Sequence, residues 1–415
     1  MQRVKRKKRK IQKQIQRIKR AKMRANSFFR EKVLLGMSFK DYLKSHLTVW
    51  NFVALVILAL SFYAMIYRLL YGLGPATNLS DTYPWGLWIS FDILVGIALA
   101  APGLTVGTAV YLLGAKDYKH FAKPAILSSL LGYIFAVFAL MFDLGRYYRI
   151  FYVIGWSWGL DSILFLIAWH FFLYIIICLV EWSPSLFEWI GRERLKDFFS
   201  KLGIWATVFG VIIAGGHQSA LGGLFLIAPT KIYPLWYSPL LPIFFLMSAL
   251  FAGISMVIIE SSLAHRIFKD RIKNFSDEDF AEKTIGFGKV LLVLLFAYFL
   301  LKILDLSHHN NWQYLANEFG YLYAFELIGF VLIPALVIIY SVKQKAPKLV
   351  RISAILVVVG VVLNRFNVSL IAYNWYIPFS EKYYPTWMEV ALSTGVVTLI
   401  ILFYRFIVRR MAILS

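Results

Sequence analysis

The chain has one cysteine in 415 residues, Cys178, and it lies within an apolar run. A single thiol forms no intrachain disulfide and cannot furnish the thiolates of an iron–sulfur cluster, so packing is its expected role. Acidic residues are scarce, with 22 Asp and Glu against 44 Lys and Arg, and charged residues make up only 16% of the chain. No phosphate-binding glycine loop, metalloprotease helix, metal site or long internal repeat is evident. The pairs Gly215-Gly216 and Gly222-Gly223 fall inside apolar runs, where glycine serves helix packing. Apart from the N-terminal tail, the longest polar stretch lies around 261–286. That leaves no room for a soluble catalytic domain, so the chain is not expected to catalyse a reaction alone.

What is present is hydrophobic: 60% of residues are apolar or aromatic and the mean hydropathy is +0.67. Such a chain is an integral membrane protein. Runs long enough to cross ~30 Å of hydrocarbon occur near 48–70, 87–113, 124–142, 160–180, 202–227, 239–260, 287–306, 320–342, 349–371 and 387–408. Lipid offers backbone groups no partners, and these runs exceed barrel strands, so ten transmembrane helices and an all-α polytopic fold are expected. The expected organisation is a basic tail over 1–44, a membrane domain over 45–408 and a short C-terminal segment over 409–415. Within the membrane domain, 87–227 and 239–371 are expected to form two four-helix bundles, with the first and last spans peripheral.

The net charge of +22 is concentrated at one end, because residues 1–44 carry +15 of it. This segment is too long and too charged for a secretory signal and is expected to remain attached. Beside a membrane span, its expected partner is anionic lipid rather than nucleic acid. Alternate loops are rich in Lys and Arg, including Lys116, Lys119 and Lys123, and Arg192, Arg194, Lys196 and Lys201. The intervening loops carry only Arg146, Arg149, Lys231 and Lys382, and are rich in Trp, Tyr and Pro. The positive-inside rule therefore places both termini in the cytoplasm and the aromatic loops outside.

The motif YPWGLWISFD, residues 83–92, sets an acid inside the second span. A charge in hydrocarbon is costly, so Asp92 is expected to face protein. Gly96, Ala100, Gly103 and Gly107 follow at helical spacing and would let neighbouring helices approach.

The blocks at 83–103, 215–262, 363–370 and 383–397 (YPWGLWISFDILVGIALAAPG, GGHQSALGG…IIESS, LNRFNVSL and YYPTWMEVALSTGVV) resemble the integral membrane subunits of the polysulfide reductase and formate-dependent nitrite reductase superfamily. The likeness is to its ten-span branch, which includes the membrane subunit of periplasm-facing nickel–iron hydrogenase-2. The resemblance implies a haem-free subunit that binds menaquinone or ubiquinone between its helices. It also implies partners on the periplasmic face: an iron–sulfur (ferredoxin-like) or multihaem electron-transfer subunit and a catalytic subunit. Electrons would pass between that partner and the quinone pool, with proton translocation as a further possibility.

Quinone chemistry couples two electrons to two protons, so a site needs hydrogen-bond partners for two carbonyls and groups that exchange protons. Asp92 lies about six residues, roughly 9 Å at helical rise, below the aromatic end of span two, and His170 and His217 about ten residues, roughly 15 Å, below those of spans four and five; all three are expected to line one pocket with Gln218 and Ser219. His170 and His217, on successive spans, also admit a single bis-histidine b-type haem. A secondary transporter is the third reading, and the lack of an inverted hydropathy repeat counts against it. Glu260 and Lys289 near the cytoplasmic ends form a candidate proton path. Lys302, Asp305, Glu326 and Arg365 form a charge network in the second bundle, where opposite charges are expected to neutralise one another.

Overall fold

The computed structural model describes residues 27–272 and 275–414. Most of the basic tail, including the Lys and Arg residues before Asn26, lies outside them. The chain falls into two units, Met1–Val56 and Ile57–Ser415. In the first, Ser38 caps the helix Phe39–Ser45 by accepting a hydrogen bond from the Asp41 amide at 3.2 Å.

The fold is all-α and polytopic. Among the described residues ten helices are long and apolar enough to cross a membrane: spans one to ten are Val49–Tyr71, Trp88–Leu112, Lys116–Asp143, Ile163–Ile190, Glu193–Ile227, Leu241–Ile267, Asp277–His308, Glu318–Gln344, Pro347–Ile371 and Trp387–Val408. Several overrun their hydrophobic stretch, because helices continue past the last apolar residue wherever polar side chains cap them. Span seven starts ten residues before the apolar run at 287, on a capping box between Ser276 and Asp279. Within the second unit, spans two to five pack on one another, spans six to nine do likewise, and span ten lies against spans two and three. Loops alternate between a basic end and an aromatic end. At the aromatic end three loops are laced together: Ile232 bridges Tyr373, the Asn374 amide donates to the Lys231 carbonyl at 2.7 Å, and the Asn374 side chain donates to the Thr82 carbonyl at 2.5 Å.

Span two is not one regular helix. It begins as a π-helix over Trp88–Val95, turns α over Gly96–Leu99, breaks at Ala100-Ala101 and restarts at Pro102. Proline has no amide to donate, so the break exposes backbone groups that lipid cannot satisfy. Ser129 of span three repairs it: its hydroxyl donates to the Ala100 carbonyl at 2.7 Å and accepts from the Gly103 amide at 2.8 Å. Span three comes close enough because Gly132 faces Ala100, where an added Cβ would lie 2.5 Å from the alanine methyl carbon.

Lipid is as apolar as a leucine side chain, so contacts of this kind, rather than hydrophobic burial, hold the spans together. Gly253 of span six shows the same closeness, since a Cβ there would sit 2.7 Å from the Ala101 carbonyl oxygen. Backbone cannot yield as a flexible side chain can. Gly253→Val is therefore expected to destabilise the helix assembly by about 1–3 kcal/mol or more, measured by unfolding in mixed micelles, and an unchanged midpoint would contradict this packing.

Candidate functional site

Polar groups buried inside the second unit gather at the level of the span-two break. Gln218 of span five donates to the Ile97 carbonyl at 2.9 Å and to the Tyr133 hydroxyl at 3.4 Å. Tyr133 in turn is hydrogen-bonded to His217 Nε2. The acceptor carbonyl fixes which end of the Gln218 amide is NH₂, so the amide donates to the tyrosine oxygen and the tyrosine proton points to His217. Neutral His217 then carries its own proton on Nδ1. Tyr133, His217 and Gln218 are fully buried, while Gln218 Oε1 has no hydrogen-bond partner.

Aromatic rings enclose His217: Tyr133 and Phe171 stand edge-on with centroids 5.1 and 5.3 Å away, and Tyr174 is tilted at 5.6 Å. His170 is half-buried, its ring centroid 6.4 Å from that of His217. The His170 Nε2 edge faces Gly216, where an added Cβ would lie 3.4 Å from that nitrogen. Glycine thus keeps open the gap that this imidazole faces. His170, His217 and Gln218 come together as one cluster, whereas Ser219 is half-buried and follows half a helical turn from His217.

Asp92 stands apart from this cluster. It is 4% exposed, and its Oδ2 accepts a hydrogen bond from Ser393 of span ten at 2.7 Å. Asp92 thus bonds to span ten, whereas Gln218 bonds to spans two and three, and the two groups share no hydrogen-bond partner. Span two is π-helical over Trp88–Val95 and broken at Ala100-Ala101, so the 3.6-residue spacing that groups Asp92 with Gly103 and Gly107 does not hold along it. Gly103 and Gly107 still meet Ser129 and Thr207 of neighbouring spans, but Gly96 meets only its own helix. Around Asp92, Trp88 donates to the Glu389 carbonyl at 3.2 Å, and the Glu389 carboxylate takes the Tyr383 hydroxyl and the Thr386 amide. Burial, and then Glu389, push the Tyr383 hydroxyl above its ordinary pKa, so it stays a donor.

A second line of polar groups leads from the cluster toward the basic end. Tyr174 stacks edge-on against Tyr133 with centroids 4.6 Å apart. Its hydroxyl and that of Ser129 both lie beside Gly103. The adjacent Ser128 donates to Glu260 of span six at 2.6 Å. Glu260 lines a small pocket, open on one side, that also takes in His120, His265 and Tyr404. His265 closes the line through Asp277 at 2.6 Å, near the basic end. Lys289 is not part of it: the residue is exposed beside Val290 and Val293, on the face of span seven turned away from the protein. A parallel stripe on span four runs from Tyr174 past buried Cys178 to Glu181, which accepts from Thr207.

In the second bundle, Lys302, Asp305, Glu326 and Arg365 are all buried, yet among the described residues no ion pair joins them. The expected mutual neutralisation is replaced by neutral intermediaries. Glu326 accepts from Trp236 at 3.0 Å and from Asn364 and Asn367 at 2.6 Å each. Asn364 also accepts from Arg365 at 2.8 Å, so one amide links the opposite charges. Asp305 takes Ser238 and His309, and the Lys302 ammonium rests 4.0 Å from the Phe244 ring centroid.

The chain matches the family described as Polysulphide reductase, NrfD, over residues 75–376. It is 41% identical over 371 residues to a Nitratidesulfovibrio vulgaris protein, an alignment covering 89% of this chain and 96% of that one. The Probable Ni/Fe-hydrogenase 2 b-type cytochrome subunit of Escherichia coli is 29% identical over 84% of this chain and 88% of its own. The Menaquinone reductase, integral membrane subunit, of N. vulgaris is 25% identical over 85% and 88%.

Proposed function

The chain belongs to the Polysulphide reductase, NrfD family of membrane subunits, and from that premise we propose that it exchanges electrons and protons with a quinone pool at the Tyr133–His217–Gln218 cluster. One relative is named as a menaquinone reductase subunit, and menaquinone or ubiquinone is the substrate this reading implies. The observation that carries it is a fully buried relay of tyrosine, imidazole and amide at membrane depth, with the free Nε2 edge of His170 beside it. In the direction of reduction, the quinone gains two electrons and two protons and leaves as quinol; the reverse flow returns both.

The electrons come from outside the chain. The relatives named as a hydrogenase subunit and a menaquinone reductase subunit support this reading. We assign the aromatic end to the periplasmic face of the inner membrane, both termini to the cytoplasm, and a partner with an iron–sulfur or multihaem carrier to the exposed Trp156, Trp158 and Phe379. Protons are assigned to the line through Glu260, and Asp92 with Ser393 to a separate exchange site near the aromatic end.

A b-type haem is the second reading, favoured by the name of the E. coli relative, a b-type cytochrome subunit. A bis-histidine haem needs a free nitrogen on each imidazole and a slab for the macrocycle. His217 Nε2 is taken by Tyr133, only Nδ1 is left without a partner, and three aromatic rings pack around the imidazole, so these residues fit a quinone ring better. The purified subunit complex is expected to give no reduced-minus-oxidised haem band that His170→Ala removes. The same variant is expected to weaken binding of a short-chain quinone analogue roughly 2- to 10-fold, the loss of one hydrogen bond. A haem band lost with His170, or unchanged analogue affinity, would overturn the reading.

A further inference from the structure

The function proposed above leaves the N-terminal unit unused. Its helix Phe39–Ser45 presents Phe39 and Leu43, one turn apart, at 66% and 57% exposure, and Leu47 just beyond them is 79% exposed. Lys40 and Lys44 follow at the same spacing and border that stripe, while Tyr42 and His46 stack on each other with centroids 4.3 Å apart. Three residues separate this helix from Val49, where span one begins, and the Asn51 side chain holds the link by donating to the His46 carbonyl at 2.7 Å. The helix therefore sits at a membrane boundary, with apolar side chains on one face, ammonium groups beside them and a segment of charge +15 that includes it.

We infer that Phe39–Leu47 is an interfacial foot that lies in the surface of an anionic leaflet. Phe39, Leu43 and Leu47 enter the boundary between headgroups and acyl chains. Lys40 and Lys44 reach the phosphates of acidic phospholipids, and the tail adds attraction from the same side. Charge complementarity selects this occupant. A cytoplasmic protein groove would take the apolar stripe but has no reason to be bordered by lysines and joined to so basic an arm, and a nucleic acid would not bury Phe39 and Leu43.

The test uses the full chain, with Cys178 buried and unlabelled, carrying a spin label at Leu43→Cys or Lys40→Cys in nanodiscs of phosphatidylcholine alone or mixed with phosphatidylglycerol. In the mixed bilayer the Leu43 label is expected to become accessible to oxygen and shielded from a water-soluble nickel chelate, and the Lys40 label to rest nearer water. High salt should partly reverse both. As a check free of labels, Lys40→Gln/Lys44→Gln should retain less acidic phospholipid through purification than wild type, with equal phosphatidylcholine. A Leu43 label bathed in water in both bilayers overturns the foot. A label immersed equally in both, or unchanged lipid retention, overturns its selectivity for acidic lipid.

Discussion

Tyr133→Phe is expected to lower quinone turnover by about 10- to 100-fold while leaving the helix assembly intact. The substitution removes one oxygen from a fully buried position and leaves the ring, with its edge-on contacts to Phe171 and Tyr174, in place. What it strands is His217 Nε2 and one proton of the Gln218 amide, both in a setting without water. Leaving such groups unpaired costs about 1–3 kcal/mol, which corresponds to roughly 5- to 140-fold in rate at about 1.4 kcal/mol per tenfold and brackets the expected loss. His217 is then free to turn, so the loss should fall on kcat as well as KM. Turnover of a quinol analogue by the assembled complex decides the matter, and wild-type rates from Tyr133→Phe would remove the cluster from the reaction.

The sequence made the ten spans legible because a membrane helix must be long and apolar, and that requirement is written in single residues. His170, His217, Gln218 and Glu260 were legible for the related reason that polar side chains inside such runs are costly. Tyr133 was not, since tyrosine is common in membrane helices and carries no such signal by itself. A pattern was nevertheless present: His170, Tyr174, Cys178 and Glu181 recur at helical spacing and trace one face of span four. Ser129 and Tyr133 do the same on span three. A face deduced at 3.6 residues per turn does not carry across the π-helix in which Asp92 bonds to Ser393, and nothing in WISFDILV announces one. The second bundle shows another limit. Opposite charges at similar depth suggested ion pairs, but Asn364 and Asn367 interpose, and single-sequence spacing does not reveal which neutral side chain reaches a charge first.

Glu260→Gln is expected to cost at least about tenfold in turnover and to abolish any response of turnover to membrane potential. The side chain keeps its size and its contact with Ser128, so a change reports proton exchange rather than packing. The physical case rests on position. Glu260 lies between the His265–Asp277 pair near the basic end and the Ser128-Ser129 step beside Tyr174, which leads on to Tyr133 and His217. If protons for quinone reduction come from the basic end while electrons arrive at the aromatic end, each turnover moves charge across the membrane. An imposed potential then changes the rate. Proteoliposomes holding the whole complex, with turnover recorded at several potentials, separate the outcomes. Should wild type ignore the potential while Tyr133→Phe is still impaired, the quinone site stands and protons are exchanged at the aromatic end, with Asp92 and Ser393 as the groups to test next. Should Glu260→Gln respond to potential as wild type does, Glu260 has no part in the path.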